Sequence, residues 1–215
     1  MTVGAKGRRP EQHAPDALRA FNIVASLSIL VFAAPLMLAI ALLIWLQDGG
    51  NVLFGHTRIG YNGQRFKCLK FRSMVMDADV RLKRLLDSSP EAREEWARDH
   101  KLRQDPRITP LGAFLRKASL DELPQLINVL RGDMNLVGPR PIVDGEIERY
   151  GRYFQHYCSV RPGITGLWQI SGRNDVSYRR RVAMDVIYAR VKSPIMDLYI
   201  LIGTIPAVLF RKGSY

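Results

Sequence analysis

From Ala20 to Gln47 the chain carries no charged residue, and this apolar run limits what the rest can fold into more than any other feature. As a helix, its 28 residues would reach ~42 Å, more than the hydrocarbon core of a bilayer requires. The segment belongs in a membrane. No small-residue cleavage site precedes the turn-like Asp48-Gly49-Gly50-Asn51, so the expectation is an anchor that stays attached rather than a signal that is removed. Length alone favours one span, but the flanking charges do not. Lys6, Arg8, Arg9 and Arg19 precede the run, and Arg58, Arg65, Lys67, Lys70 and Arg72 follow it. The preference of cations for the cytoplasmic side therefore asks for both flanks on one face. Pro35, near the midpoint, lacks an N–H and crowds the carbonyl one turn earlier. A helix bent there enters and leaves by the same leaflet. A mild kink in an ordinary span is the alternative, and residue patterns leave the two open.

Lys and Arg number 32 against 20 Asp and Glu, a formal charge of +12 that asks for an anionic partner: nucleic acid, a phosphorylated substrate or an acidic membrane face. At 215 residues, 47% hydrophobic and 24% charged, the chain is neither a disordered polyelectrolyte nor a polytopic transporter, and it cannot hold two full-sized enzyme domains. Cys68 and Cys158 form no metal or redox spacing and read as free thiols of a reducing compartment.

Residues 1–16 read as a mobile tail, 17–48 as the membrane helix and 49–215 as one further body that includes the C-terminal helix. Val52 to Met74 alternates as strands do, and Asn62-Gly63 supplies the two positive-φ positions of a tight hairpin. Asp77 to Arg103 predicts helices interrupted near Ser89-Pro90. Leu120, Leu123, Ile127 and Leu130 predict a helix over Ser119–Leu130, stopped by Gly132. Gly138-Pro139-Arg140-Pro141 and Arg161-Pro162-Gly163-Ile164-Thr165-Gly166 read as loops, while Asp144–Tyr157 and Val176–Val191 read as helices. Ile195–Phe210 suits a helix lying in the headgroup region.

The motifs of the phosphate-loop, dinucleotide, zinc-protease and serine-hydrolase types are absent, and the four histidines are scattered. Carboxylates and arginines are left to do chemistry. Ser119-x-x-Glu122 has the form of a capping box. The adjacent acids Asp121 and Glu122, beside Arg116, Lys117 and Arg131, also suit a divalent cation and nucleophilic attack on phosphorus. The two readings are compatible. Asp77-Ala78-Asp79 resembles the DxD of metal-nucleotide glycosyltransferases, but three letters are a weak signal. Arg140, held between prolines, suits bidentate phosphate recognition or a salt bridge that pins its loop. Lys70 and Arg72 suit anionic lipid.

Taken together, six blocks resemble the monotopic phosphoglycosyl transferases, the bacterial sugar transferases that begin polysaccharide assembly on a lipid carrier. The blocks are Lys70-Phe71-Arg72-Ser73-Met74, Arg116 to Leu126, Asn128 to Met134, Val137 to Pro141, Arg161 to Gly166 and Ser171-Gly172-Arg173-Asn174. The resemblance implies a mainly helical α+β fold: a re-entrant membrane helix bent at Pro35, a β-hairpin and interfacial amphipathic helices around a small catalytic domain. It further implies transfer of a sugar-1-phosphate from a UDP-sugar to polyprenyl phosphate, with release of UMP, at the cytoplasmic face of the bacterial inner membrane. Asp121 would be the covalent nucleophile and a ligand of Mg²⁺, with Glu122 as the second member of the dyad. Substrate would be bound by Lys70, Arg72, Arg116, Pro139, Arg140, Pro141, Arg161, Arg173 and Asp185, the last in a role left open. Inner-leaflet phospholipids are expected partners and nucleic acid is not; a homo-oligomer is compatible. One departure is Ala34 before Pro35. Members of the family often carry serine there, and its hydroxyl would serve the freed backbone at the bend.

Phosphoryl transfer needs positioning and charge neutralisation more than acid-base machinery, which suits a site built without histidine. The rivals are a polybasic, membrane-anchored binding module without catalysis and a single-step transfer through a ternary complex. The Ser171 to Val176 stretch and the Gly213-Ser214-Tyr215 ending resemble initiators that use UDP-glucose or UDP-galactose.

Overall fold

The computed structural model describes residues 16–99, 102–172 and 176–209. The expected N-terminal tail, Arg173 and the Gly213-Ser214-Tyr215 ending lie outside the described residues. The molecule is mainly helical with two small sheets.

Helix α1, Asp16–Asp48, runs as one element through Pro35. Among the described residues it is the one helix long and apolar enough to cross a membrane. Its buried positions Leu18, Asn22, Ser26, Ile40 and Ile44 fall on one stripe at helical spacing, while Val31, Phe32, Leu38 and Leu46 stay exposed. Each end is tied to the same body. Arg19 donates to the carbonyls of Val129 and Leu130, and Asp48 pairs with Arg72.

Strands β1, Leu53–Ile59, and β2, Arg65–Phe71, form the expected antiparallel hairpin. Asn62 and Gly63 take φ of 53° and 74° at its turn as the Asn-Gly pair predicts, but the turn is not the tight two-residue one: a 3₁₀ segment, Tyr61–Gly63, makes it longer. Helices α2, Ala78–Ser88, and α3, Pro90–Asp99, break at Ser89 as expected. Helix α4, Pro110–Lys117, was not foreseen, although its start is written in Thr109-Pro110: the Thr109 hydroxyl accepts from the Gly112 amide at 2.9 Å.

The predicted continuous helix over Ser119–Leu130 is corrected. Pro124 cannot continue a hydrogen-bonded helix, so a 3₁₀ turn, Leu120–Glu122, precedes a separate α5, Gln125–Arg131, which Gly132 ends with φ 90°. Ser119 is left-handed at φ 58° and its side chain caps nothing, so there is no capping box. Asp144–Tyr157 is likewise not one helix. It contains α6, Ile147–Tyr150, and α7, Phe154–Cys158, joined by one 3₁₀ turn, Gly151–Tyr153, that starts at Gly151 with φ 48°, and a second 3₁₀ turn, Asp144–Glu146, precedes α6. The predicted loop after Arg161 contains a strand, β4, Gly163–Thr165, which pairs in parallel with β3, Asn135–Val137. Helix α8, Leu167–Ile170, leads to α9, Tyr178–Val191, and α10, Pro194–Leu209.

The main core joins β3, α5, α9 and α10 through Met134, Leu136, Val137, Val129, Tyr188 and Ile200. A second cluster, Ile59, Ile142, Tyr150, Tyr157, Val182 and Val186, clamps the hairpin to α9. A third packs Ile40 and Ile44 of α1 against Phe71 and Leu115. Helix α10 buries Ile200 and leaves Ile195, Leu198, Tyr199, Ile202 and Ile205 exposed. Cys68 and Cys158 are free.

Candidate active site

The hairpin and the turn after α4 meet in an open cleft of ≈ 1120 Å³. Strand alternation selects what the hairpin offers to it. The pairs Phe54 with Lys70, His56 with Cys68 and Arg58 with Phe66 put His56, Arg58, Cys68 and Lys70 on one face, and these four line the cleft. Opposite them, left-handed Ser119 turns the chain so that the 3₁₀ segment carries Asp121 and Glu122 inward.

Lys70 joins the two acids: its Nζ lies 3.5 Å from Asp121 Oδ2 and 2.5 Å from Glu122 Oε1. The acids are not equivalent. Burial, reinforced by the neighbouring Glu122 charge, pushes Asp121 above the usual carboxylate range against the pull of Lys70 and Arg116. Burial also opposes charge on Glu122, but Lys70, Arg140 and hydrogen bonds from Lys70 and Gln125 prevail and hold it low. Glu122 is thus biased toward its charged form and Asp121 toward its neutral one. Behind Asp121, Arg116 donates from Nε to Ser73 Oγ at 2.8 Å. Beyond Glu122, Arg140 is exposed and makes no hydrogen bond or ion pair among the described residues.

The prolines beside Arg140 are buried, and their backbones are held. The Gly163 amide donates to Pro139 O at 2.9 Å, and Arg58 Nη1 donates to Pro141 O at 3.2 Å. Arg140 thus projects from a fixed loop into open space.

Of the other predicted residues, Arg72 lines the cleft and commits Nη2 to Asp48 and Ile44 O, while its buried Nη1 has no hydrogen-bond partner among the described residues. Arg161 does not line it: its Nε donates to Gly132 O at 2.9 Å and its guanidinium lies over the Tyr61 ring. Asp185 is 1% exposed and also lies off the cleft, accepting from the Tyr150 hydroxyl at 2.7 Å; burial raises it to about 7. Asp77 pairs with Arg81, and only Asp79 of the DxD faces the cleft.

Residues that sequence reasoning missed include Arg58, Gln125 and Gln169, which border a recess beside Glu122 and Arg140. For Arg58 the sequence pointed the wrong way: a two-residue Asn-Gly turn would pair it with Lys67, and the longer Tyr61–Gly63 turn shifts the register by one, pairs it with Phe66 and brings it to the Lys70 face. For Gln125 and Gln169 no local pattern announces it.

Among the described residues no three His, Cys, Asp or Glu side chains cluster into a closed metal cage. A Mg²⁺ ion that takes one or two carboxylates, water and substrate phosphates needs none. Asp121, buried beside the cleft with its charge under-compensated, fits that donor set.

Residues 15–211 match the family of bacterial sugar transferases. The exopolysaccharide production protein ExoY of Rhizobium meliloti is 52% identical over 199 residues, which cover 93% of this chain and 88% of that protein. The undecaprenyl-phosphate galactose phosphotransferase of Salmonella typhimurium is 52% identical over 200 residues, covering 92% of this chain but 41% of that longer protein. The UDP-glucose:undecaprenyl-phosphate glucose-1-phosphate transferase of Caulobacter vibrioides is 37% identical over 223 residues, covering 100% of this chain and 78% of that enzyme.

Proposed function

Because the chain belongs to the bacterial sugar transferase family, we propose that it works as a two-step enzyme, with Asp121 as the nucleophile that takes the sugar phosphate from its donor before the lipid does. It is a sugar-1-phosphate transferase that uses undecaprenyl phosphate and a UDP-sugar to begin exopolysaccharide synthesis. In the first step an Asp121 oxygen attacks the phosphorus bearing the hexose. The bond from that phosphorus to the nucleotide's phosphate breaks, and UMP departs. In the second step an acceptor phosphate oxygen attacks the same phosphorus and returns Asp121 to a free carboxylate. The observation that carries this reading is the buried Asp121 at the cleft floor, flanked by Lys70 and Arg116.

Each cation has a task in the scheme. Lys70 and Arg116 screen the approach of one anion to another, and Arg140 takes the nucleotide's phosphate. Glu122 holds Lys70 at the dyad. Asp121 would hold Mg²⁺, which when bound supplies charge neutralisation at the phosphates. The donor sugar is glucose or galactose in this reading, as in the names of the relatives. Replacing Asp121 with Asn is expected to abolish UMP release and the phosphosugar adduct, by at least ~10³-fold. An adduct on the Asn variant, located by mass spectrometry after rapid quench, would overturn the assignment.

The same reading makes α1 re-entrant, with the body on the cytoplasmic face of the inner membrane and its phospholipids under α10. Support comes from the two ties: a helix of 33 residues would hold its ends ~50 Å apart if straight. Arg19 at one end and Asp48 at the other are nevertheless bound to one compact body. Single cysteines at Ala17 and Asn51 are expected to react with an impermeant thiol reagent from the same side of oriented vesicles. Labelling from opposite sides would restore a spanning helix.

A further inference from the structure

Arg140 makes no hydrogen bond or close ion pair among the described residues and feels the longer-range pull of Glu122, so its place in the cleft is set mainly by its backbone. What fixes that backbone lies away from the cleft. The Tyr157 hydroxyl donates to Ile59 O at 2.6 Å and accepts from the Ile142 amide at 3.2 Å, while the Ile59 amide donates to Ile142 O at 2.9 Å. Ile142 is two residues beyond Arg140, and Ile59 adjoins Arg58, which holds Pro141 O. The Tyr157 ring is in turn fixed by Tyr150, edge-on at 5.2 Å, and the Tyr150 hydroxyl is held by Asp185 Oδ2 at 2.7 Å. Tyr157, Tyr150 and Asp185 are 1%, 4% and 1% exposed.

We infer that Asp185, Tyr150 and Tyr157 form a positioning relay that fixes the Pro139-Arg140-Pro141 loop and so aims the Arg140 guanidinium at the nucleotide half of the donor. The physical warrant is the cost of misalignment. A buried hydroxyl that serves a carbonyl at the end of β1 and an amide in the Arg140 loop cannot shift without giving up both bonds. Asp185 touches no cleft atom and is a positioning residue, not a catalytic one. The relay also accounts for a tyrosine pair and an acid that the transfer chemistry does not use.

The inference rests on the nucleotide reading of Arg140, and the test separates the two. UMP binding to the full chain in nanodiscs is measured by calorimetry for the wild type and for the Tyr157→Phe, Tyr150→Phe, Asp185→Asn and Arg140→Ala variants. Loss of one buried hydroxyl contact is expected to weaken UMP binding about tenfold for Tyr157→Phe and about threefold for Tyr150→Phe. Asp185→Asn, which keeps an acceptor for Tyr150, is expected to stay within about twofold of wild type. KM for the UDP-sugar rises in step while kcat holds, a split that general loosening would not produce. In an Arg140→Ala background the tyrosine substitutions should add nothing. Undiminished tyrosine effects in that background, or wild-type affinity in both tyrosine variants, overturn the relay and leave the nucleotide reading intact. Equal UMP affinity in wild type and Arg140→Ala overturns the nucleotide reading and the relay with it. If Tyr157→Phe does not fold, Tyr150→Phe carries the test.

Discussion

Two loops carry an arginine beside proline, Pro139-Arg140-Pro141 and Arg161-Pro162-Gly163, and in the fold their backbones touch. The Gly163 amide donates to Pro139 O, and the Asn135 amide donates to Pro162 O. Their side chains have opposite fates. Arg140 enters the cleft without a hydrogen-bond partner among the described residues, whereas Arg161 is turned away from the cleft and engaged by Gly132 O and the Tyr61 ring. Arg19 takes the carbonyls of Val129 and Leu130, so two arginines close the C-terminal end of α5, where open carbonyls attract cations. A guanidinium binds substrate only if the fold leaves it unsatisfied. Local sequence does not report that; the neighbours of each arginine do.

The crossing of these loops leaves little room for change. A side-chain carbon on Gly163 would lie 2.0 Å from the Gly138 amide nitrogen and 2.5 Å from the Val137 carbonyl carbon, both backbone atoms with nowhere to go. Gly163→Ala is therefore expected to cost more than about 4 kcal/mol and to abolish the folded protein. Gly145→Ala, whose added carbon meets nothing within 4 Å, serves as the control and should unfold like the wild type. Loss of expression and of a cooperative melt for Gly163→Ala alone is the expected result. A folded Gly163→Ala variant would mean that the loops do not need their close crossing, and the contrast drawn from it would lapse.

The same contrast runs through what the sequence makes legible. The hairpin, its Asn-Gly turn, the break at Ser89 and the helix ending in Val191 follow from local rules, because short-range sterics and period alone decide them. Pairing of β3 with β4 does not, since each strand has only three residues and is held by contacts 28 positions away in sequence, as between Asn135 and Gly163. The dyad was legible as two adjacent acids, but the reason for their conformation was misread. Leucine spacing promised a helix through Ser119, and Pro124 overrode it, leaving Asp121 on a tight turn rather than on a helix face. Asp185 and Arg161 were legible as polar residues of note. That they lie off the cleft depends on tertiary packing, which residue order does not encode.

The smaller effects test the two arginines against each other. If Arg140 is free to bind the leaving nucleotide, Arg140→Ala removes a charge-assisted contact worth about 1.5–3 kcal/mol and should weaken UMP binding about 10- to 100-fold with the melting temperature unchanged. Arg161→Ala should do the reverse. It strips one hydrogen bond from the end of α5 and one cation–ring contact from the hairpin turn, together about 1–2 kcal/mol, or roughly 3–6 °C of melting temperature, with UMP affinity unmoved. Calorimetric titration with UMP and a thermal melt on each variant give the four numbers required. A fall in UMP affinity for Arg161→Ala at unchanged stability would return that residue to the substrate. In that case the Nη groups of Arg161 would reach phosphate while Nε stays on Gly132 O, and engagement by the fold would no longer separate binding arginines from structural ones.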